Sequence, residues 1–234
     1  MKVKAPVLNP NYDEYLRFEW AKFVSEPERS RATLDLTKGM KIERVLDVGC
    51  GAGQEILPFL MERNARGVAT DVAIDVGKVG RELYERDAPR AHIDFLRCDA
   101  EDLPFPSGAF DVVVCRLALP YTHNARALAE VSRVLRPGGK YFLKISGVRW
   151  YLMELKQAIK ERKVLSMIHA SRVLIAGAIY HVTRRQPLWR IPSRETFQTK
   201  WLISRELRRH GLSIQSETPD SNPVTPSFVI IKAG

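Results

Sequence analysis

The sequence predicts an α/β fold with a mostly parallel sheet covered by helices on both faces. Three observations carry that prediction. Short β-branched runs alternate with longer helix-periodic segments across residues 41–146. One of those runs, Phe110–Cys115 (FDVVVC), is apolar almost throughout, as a strand buried on both faces must be. A glycine-rich turn joins the first strand of the series to the helical segment after it.

The elements follow in order. In residues 1–40, Tyr12, Leu16, Trp20 and Phe23 fall at roughly helical spacing and predict a leading helix. Arg44–Val48 is the first strand, followed by the glycine loop and a helical segment from Gln54 to Arg63. Gly67–Asp71 is the second strand, and Val72, Val76, Val79 and Leu83 form a helix stripe behind it. Ile93–Cys98 and Phe110–Cys115 are the third and fourth strands. Leu128, Val131, Val134 and Leu135 mark a helix stopped by Pro137-Gly138-Gly139, and Lys140–Ser146 is the fifth strand. Strands joined by helices of this length imply right-handed crossovers. The alternation then stops over residues 147–200, an insertion of basic, helix-like character. It resumes over 201–234 with a helix ending at His210-Gly211 and two strands, Leu212–Glu217 and Ser227–Ile231, forming a closing hairpin.

At 234 residues the chain can bury one substantial core. Cys50, Cys98 and Cys115 are an odd, widely spaced set in apolar surroundings, which implies reduced thiols and neither a disulfide frame nor a metal site. MKVKAPVLNPNYDEY lacks the apolar centre of a signal peptide, and the longest apolar run, Val164 to Val182, is interrupted by His169 and Arg172. The expected location is cytoplasmic, with peripheral attachment to a membrane as an option. The net charge of +10 lies wholly in residues 147–210, where 14 Lys/Arg face 4 Asp/Glu. A field that localised speaks about the partner of that segment.

The segment that carries chemistry is Val45-Leu46-Asp47-Val48-Gly49-Cys50-Gly51-Ala52-Gly53-Gln54. Glycine permits the tight turn and a close approach of a ligand to the main chain. The helix start beyond it offers unpaired N–H groups. A dinucleotide fingerprint would need a third glycine at position 54, which is Gln. The D-x-G-x-G-x-G spacing instead resembles the first motif of class I S-adenosylmethionine (SAM) dependent methyltransferases. Three further segments resemble that family in the right order. They are Asp71 at the end of the second strand, Asp99-Ala100-Glu101-Asp102-Leu103-Pro104-Phe105, and Glu130-x-x-Arg133-Val134-Leu135-Arg136-Pro137-Gly138-Gly139. The resemblance covers residues 42–146 and is to the group that includes the ubiquinone/menaquinone-biosynthesis enzymes. It implies a Rossmann-like seven-stranded sheet, order 3-2-1-4-5-7-6, with the last strand antiparallel. It also implies SAM as cofactor and S-adenosylhomocysteine as product. Asp47 and the loop Gly49, Cys50, Gly51, Gly53 would take the amino-acid end, Asp71 the ribose hydroxyls, Val72 an apolar contact, and Asp99 with the Ala100 amide the adenine edge. The Glu130–Gly139 motif reads as structural.

Methyl transfer from a sulfonium needs alignment more than a conspicuous catalytic group. The acceptor should approach over the end of the fourth strand. There Arg116 can face cofactor or acceptor, or simply form a salt bridge, and His123 can act as base or merely begin a helix. Tyr121 and His181 are further candidates, and Tyr12, Tyr15 or Trp20 can close over the methionine end or serve as core. In the insertion, Leu152, Leu155 and Ile159 share one helix face, as do Leu165, Ile168, Ile175 and Ile179. Among them lie Lys156, Lys160, Arg162, Lys163, Arg172, Arg184, Arg185, Arg190 and Arg194, with Trp150, Tyr151, Tyr180, Trp189 and Trp201 interspersed. This basic cap can line a pocket for a small-molecule or lipid-like acceptor, rest on an anionic membrane surface, bind RNA, or be a solvated face. The expected function is methylation of a small-molecule or lipid-like acceptor. The alternatives are an RNA methyltransferase and a SAM-binding scaffold without catalysis.

Overall fold

The computed structural model describes residues 12–187 and 194–233, so Trp189 and Arg190 lie outside the described residues. Its centre is a seven-stranded sheet of order β3-β2-β1-β4-β5-β7-β6. The strands are β1 (Arg44–Val48), β2 (Arg66–Asp71), β3 (His92–Arg97), β4 (Phe110–Arg116), β5 (Leu135–Lys144), β6 (Leu212–Glu217) and β7 (Ser227–Lys232). β1 to β5 pair in parallel, and β7 runs antiparallel to both neighbours. The seven strands, their order and the antiparallel closing strand agree with the expectation.

Alternation along the strands divides the core. Val45 and Val112 point to one side, where they meet α1 (Tyr12–Ser25), α3 (Leu57–Glu62) and α4 (Lys78–Asp87) through Trp20, Phe59 and Leu83. Leu46 and Val113 point to the other, against Leu128 of α5 (Asn124–Val134) and Leu207 of α8 (Lys200–Arg208). Chain order reverses between β1 and β4, so the crevice at their C-terminal ends is where such a sheet accepts a ligand.

Several local expectations are corrected. A second helix, α2 (Pro27–Asp35), follows α1. The segment from Gln54 is a 3-10 turn, Gln54–Ile56, leading into α3 with Pro58 in its first turn, where a missing N–H costs nothing. Val72 and Val76 precede α4, because Gly77 at φ +79° redirects the chain just before Lys78. α5 stops at Val134, and β5 begins immediately at Leu135 with a register shift opposite Phe110 and Val112.

The insertion forms a helical hairpin, α6 (Val148–Lys160) and α7 (Val164–Thr183). The apolar faces picked out by helical spacing lie mostly on the outside, with Leu155 and Ile179 half-buried. Leu152, Ile159, Leu165, Ile168 and Ile175 are exposed, whereas α7 buries Ala170, Val173, Ala176, Gly177 and Tyr180. α7 is also long and apolar enough to cross a membrane by length and composition, despite His169 and Arg172. A strap, residues 194–199, returns from the hairpin to the sheet, where Thr199 caps α8 by accepting from the Leu202 amide at 3.3 Å.

Candidate cofactor and acceptor site

Asp47, the penultimate residue of β1, is almost wholly buried, with its Oδ2 lacking a hydrogen-bond partner among the described residues. Burial, with Glu55 and Asp71 nearby, holds its carboxyl well above the usual carboxylate range. Beyond it Gly49, Gly51 and Gly53 all have positive φ, at +71°, +55° and +81°. At Gly49 the reason is also steric, because a Cβ would fall 2.1 Å from the Ala118 Cβ. The Gly49 and Cys50 amides donate to the Thr70 carbonyl at 2.8 and 3.0 Å, tying the loop to β2. Cys50 is buried beneath it, and burial raises its thiol pKa.

At the end of β2, Asp71 accepts from the Ala73 amide at 3.1 Å and the Gly51 amide at 3.4 Å. It lines a narrow cavity with Tyr12, Leu16, Gly51 and Val76. Val72 is half-buried, and its carbonyl accepts from Arg97 Nε at 3.0 Å. Trp20 is plain core: its Nε1 donates to Asp87 at 2.7 Å, and its ring meets Tyr84 edge-on. Tyr12 is the aromatic of α1 that sits beside Asp71, while Tyr15 stacks on it from the exposed side.

After β3, Asp99 accepts from the Glu101 amide at 2.9 Å, shaping the turn that presents Ala100. The Glu130–Arg133 pair does more than end a helix. Glu130 accepts from the Leu103 amide at 2.8 Å, and Arg133 donates to the carbonyls of Leu103 and Phe105 at 2.8 and 2.6 Å. The fourth motif therefore clamps the loop formed by the third.

An orphaned buried acceptor at Asp47, an accessible carboxylate at Asp71 and a glycine loop between them fit SAM. Its ammonium would supply the donor that Asp47 Oδ2 lacks, and its ribose hydroxyls would meet Asp71.

The acceptor side holds more than sequence indicated. Arg116 is buried in ion pairs with Glu55, at 3.2 Å, and with Asp220. Lys144 joins Asp220 at 2.8 Å, and Arg29 pairs with Glu55. Burial alone would raise the Asp220 carboxyl, but Arg116 and Lys144 hold it well below the carboxylate range. His123 is the half-buried N-cap of α5. Its amide donates to Glu101 at 2.8 Å, and its Nδ1 is buried without a hydrogen-bond partner among the described residues. His181 braces the strap, bonding the Gly177 carbonyl at 2.7 Å and Thr199 at 2.8 Å while stacking on Phe197.

The strap crosses the ends of β4 and β5, with the Thr196 amide on the Pro120 carbonyl (3.3 Å) and the Gln198 amide on the Ser146 carbonyl (3.0 Å). It brings Glu195 into a cluster that sequence reading missed. Tyr151 of α6 donates to Glu195 at 2.7 Å, His169 of α7 lies 3.2 Å from its other oxygen, and Tyr121 is near enough to feel the same carboxylate's charge. Burial opposes ionisation of Glu195, yet His169 and Tyr151 hold its pKa below the usual value, and Glu195 in turn raises that of His169. Partial burial and Glu195 push the Tyr121 phenol up. No local signal links residues 121, 151, 169 and 195.

Known proteins match in the same region. A family model described as a methyltransferase domain matches residues 46–143. The ubiquinone/menaquinone biosynthesis C-methyltransferase UbiE of Stutzerimonas stutzeri is 34% identical over 113 residues, covering 47% of this chain and 44% of the relative. The phthiotriol/phenolphthiotriol dimycocerosates methyltransferase 1 of Mycobacterium ulcerans is 35% identical over 142 residues, covering 58% and 51%. The chain thus spans about half the length of the curated relatives it matches. Among solved structures, the magnesium protoporphyrin IX methyltransferase of Synechocystis with bound S-adenosylhomocysteine superposes with a TM-score of 0.56 at 15% identity, covering 98% of this chain and 90% of that one. With its glycine loop, two strand-end acids and 3-2-1-4-5-7-6 sheet, this chain carries over residues 46–143 a methyltransferase domain that resembles the corresponding part of UbiE.

Proposed function

We propose that the chain transfers the methyl group of SAM to a small-molecule or lipid-like acceptor that enters beneath the strap, over the C-terminal end of β4. The observation that carries this reading is the strap itself. Residues 194–199 are hydrogen-bonded to Pro120 and Ser146 and roof the acceptor end with Tyr121, Tyr151, Glu195 and His169. A strand-end cover built from aromatic rings and a few buried polar groups suits a compact, largely apolar ligand better than a polynucleotide. Two relatives named for quinone biosynthesis and for dimycocerosates support the same class of acceptor.

SAM supplies an activated methyl on a sulfonium, so the protein's task is to hold, align and keep water out. Asp47, the Gly49–Gly53 loop, Asp71 and the Asp99–Ala100 turn would hold the cofactor. Arg116, locked between Glu55 and Asp220, stiffens the end of β4 beside it. If the acceptor must lose a proton, the titratable side chains at this end of the sheet are Tyr121, Glu195 and His123, the N-cap of α5.

Label transfer tests this reading. Methyl-labelled SAM and the purified chain are incubated with a cell extract, and lipid, small-molecule, RNA and protein fractions are separated. Label in the organic or small-molecule fraction is the expected outcome. Label confined to RNA or protein would overturn the acceptor class, and no transfer to any fraction would leave a SAM-binding scaffold.

A further inference from the structure

A helix that is apolar on every side is normally covered on every side. α7 is covered on only one. Ala170, Val173, Gly177 and Tyr180 face the hairpin's interior, while the opposite line, Val164, Ile168, Ile175 and Val182, is exposed, with half-buried Arg172 on its flank. The exposures are large: 63% for Val164, 60% for Ile168, 54% for Ile175 and 82% for Val182. On α6, Leu152 and Ile159, seven residues apart on one face, are exposed as well. An exposed apolar face of this length marks a surface that something covers.

Cations stand at both ends of that line. Lys160, Arg162 and Lys163 precede α7, Arg184 and Arg185 follow it, and all five are exposed. On α6, Arg149 and Lys156 are exposed on the side next to Leu152 and Ile159. Of the hairpin's acids, Glu161 is paired with Lys163, and Glu154 lies among the Glu195 cluster.

We propose that the α6–α7 hairpin docks this enzyme on an anionic membrane surface, with the outward line of α7 lying in the plane of the headgroups. The charge pattern selects this occupant over a second copy of the chain. Two hairpins packed face to face would set a cationic end against a cationic end whether they ran parallel or antiparallel, whereas an anionic lipid surface meets both ends favourably. The helix lies on the membrane and does not cross it. Gly177 is held so close to Phe197 that a Cβ would fall 2.2 Å from the ring, and His181 is bonded to Thr199 of the strap. Tyr151 and His169 belong to the same hairpin, so docking keeps the acceptor entrance beside the bilayer. This surface is independent of the acceptor assigned above.

Co-sedimentation of the full chain with vesicles of phosphatidylcholine, alone or mixed with phosphatidylglycerol, tests the proposal without any acceptor. Binding is expected to the mixed vesicles and to be weak on phosphatidylcholine alone. The double variant Ile168→Ser/Ile175→Ser should lose about tenfold or more of that binding. Lys160→Ala and Arg185→Ala should each cost roughly fivefold. All these positions are exposed, so the SAM-induced shift in Tm should stay at the parent value and report an intact fold. Three results would overturn the proposal: no binding to the mixed vesicles, binding indifferent to the isoleucine variant, or a dimer in sedimentation velocity that the same variant dissolves.

Discussion

Asp47 and Asp71 do different work although both are acids at strand ends. Asp71 is half-buried and already accepts two amides, so its remaining capacity points into the cavity beside Tyr12. Asp71→Ala should weaken SAM binding about tenfold, a loss of roughly 1.4 kcal/mol, read by titration calorimetry. Unchanged affinity would remove Asp71 from the cofactor site. Asp47 is buried and its pKa is raised, whereas an ammonium ligand needs the carboxylate. Below that raised pKa, binding must release a proton. Affinity for SAM should therefore fall as pH falls, by up to about tenfold per unit. Asp47→Asn should bind weakly with a flat profile across the same range, and a parallel slope in parent and variant would assign the proton elsewhere.

Among the elements, the strap and α7 are joined at one contact where no side chain fits. A Cβ on Gly177 would lie 2.2 Å from Phe197, itself stacked on His181. Gly177→Ala should push the strap off α7 and cost about 1–3 kcal/mol of stability in denaturant titration. Methyl transfer should suffer more than SAM binding, because Glu195 moves with the strap while Asp47 and Asp71 do not. Equal losses in both would mean that the strap does not serve the acceptor side.

Across the whole molecule, two large apolar clusters sandwich the sheet, and the hairpin has only a small cluster of its own around Tyr151, Val173 and Phe197. Cooperative units with little buried apolar surface open most easily. Amide exchange should be slowest in β1, β4 and β5 and clearly faster in α6 and α7, with SAM slowing the Gly49–Gly53 loop. Exchange as slow in the hairpin as in β4 would contradict this picture.

The strands and the glycine loop were legible because their signals are local, whereas the strand order followed only from the resemblance to class I methyltransferases. Val45–Val48 and Phe110–Cys115 have strand periodicity written into adjacent residues, and Gly49, Gly51 and Gly53 have positive φ because a turn at that place demands it. What only the tertiary structure decided depends on residues far apart in the chain. Leu165, Ile168 and Ile175 have the spacing of a buried helix face, but periodicity cannot say which of two apolar faces meets the protein, and α7 is apolar on both. Arg116 became an ion-pair partner through Asp220, a contact made 104 residues away. Glu195 joined Tyr121, Tyr151 and His169 only because the strap folds back over β4 and β5. Sequence fixes periods and turns, which are short-range. The choice of face and partner belongs to packing, where burial and charge pairing are settled by whatever the rest of the chain brings alongside.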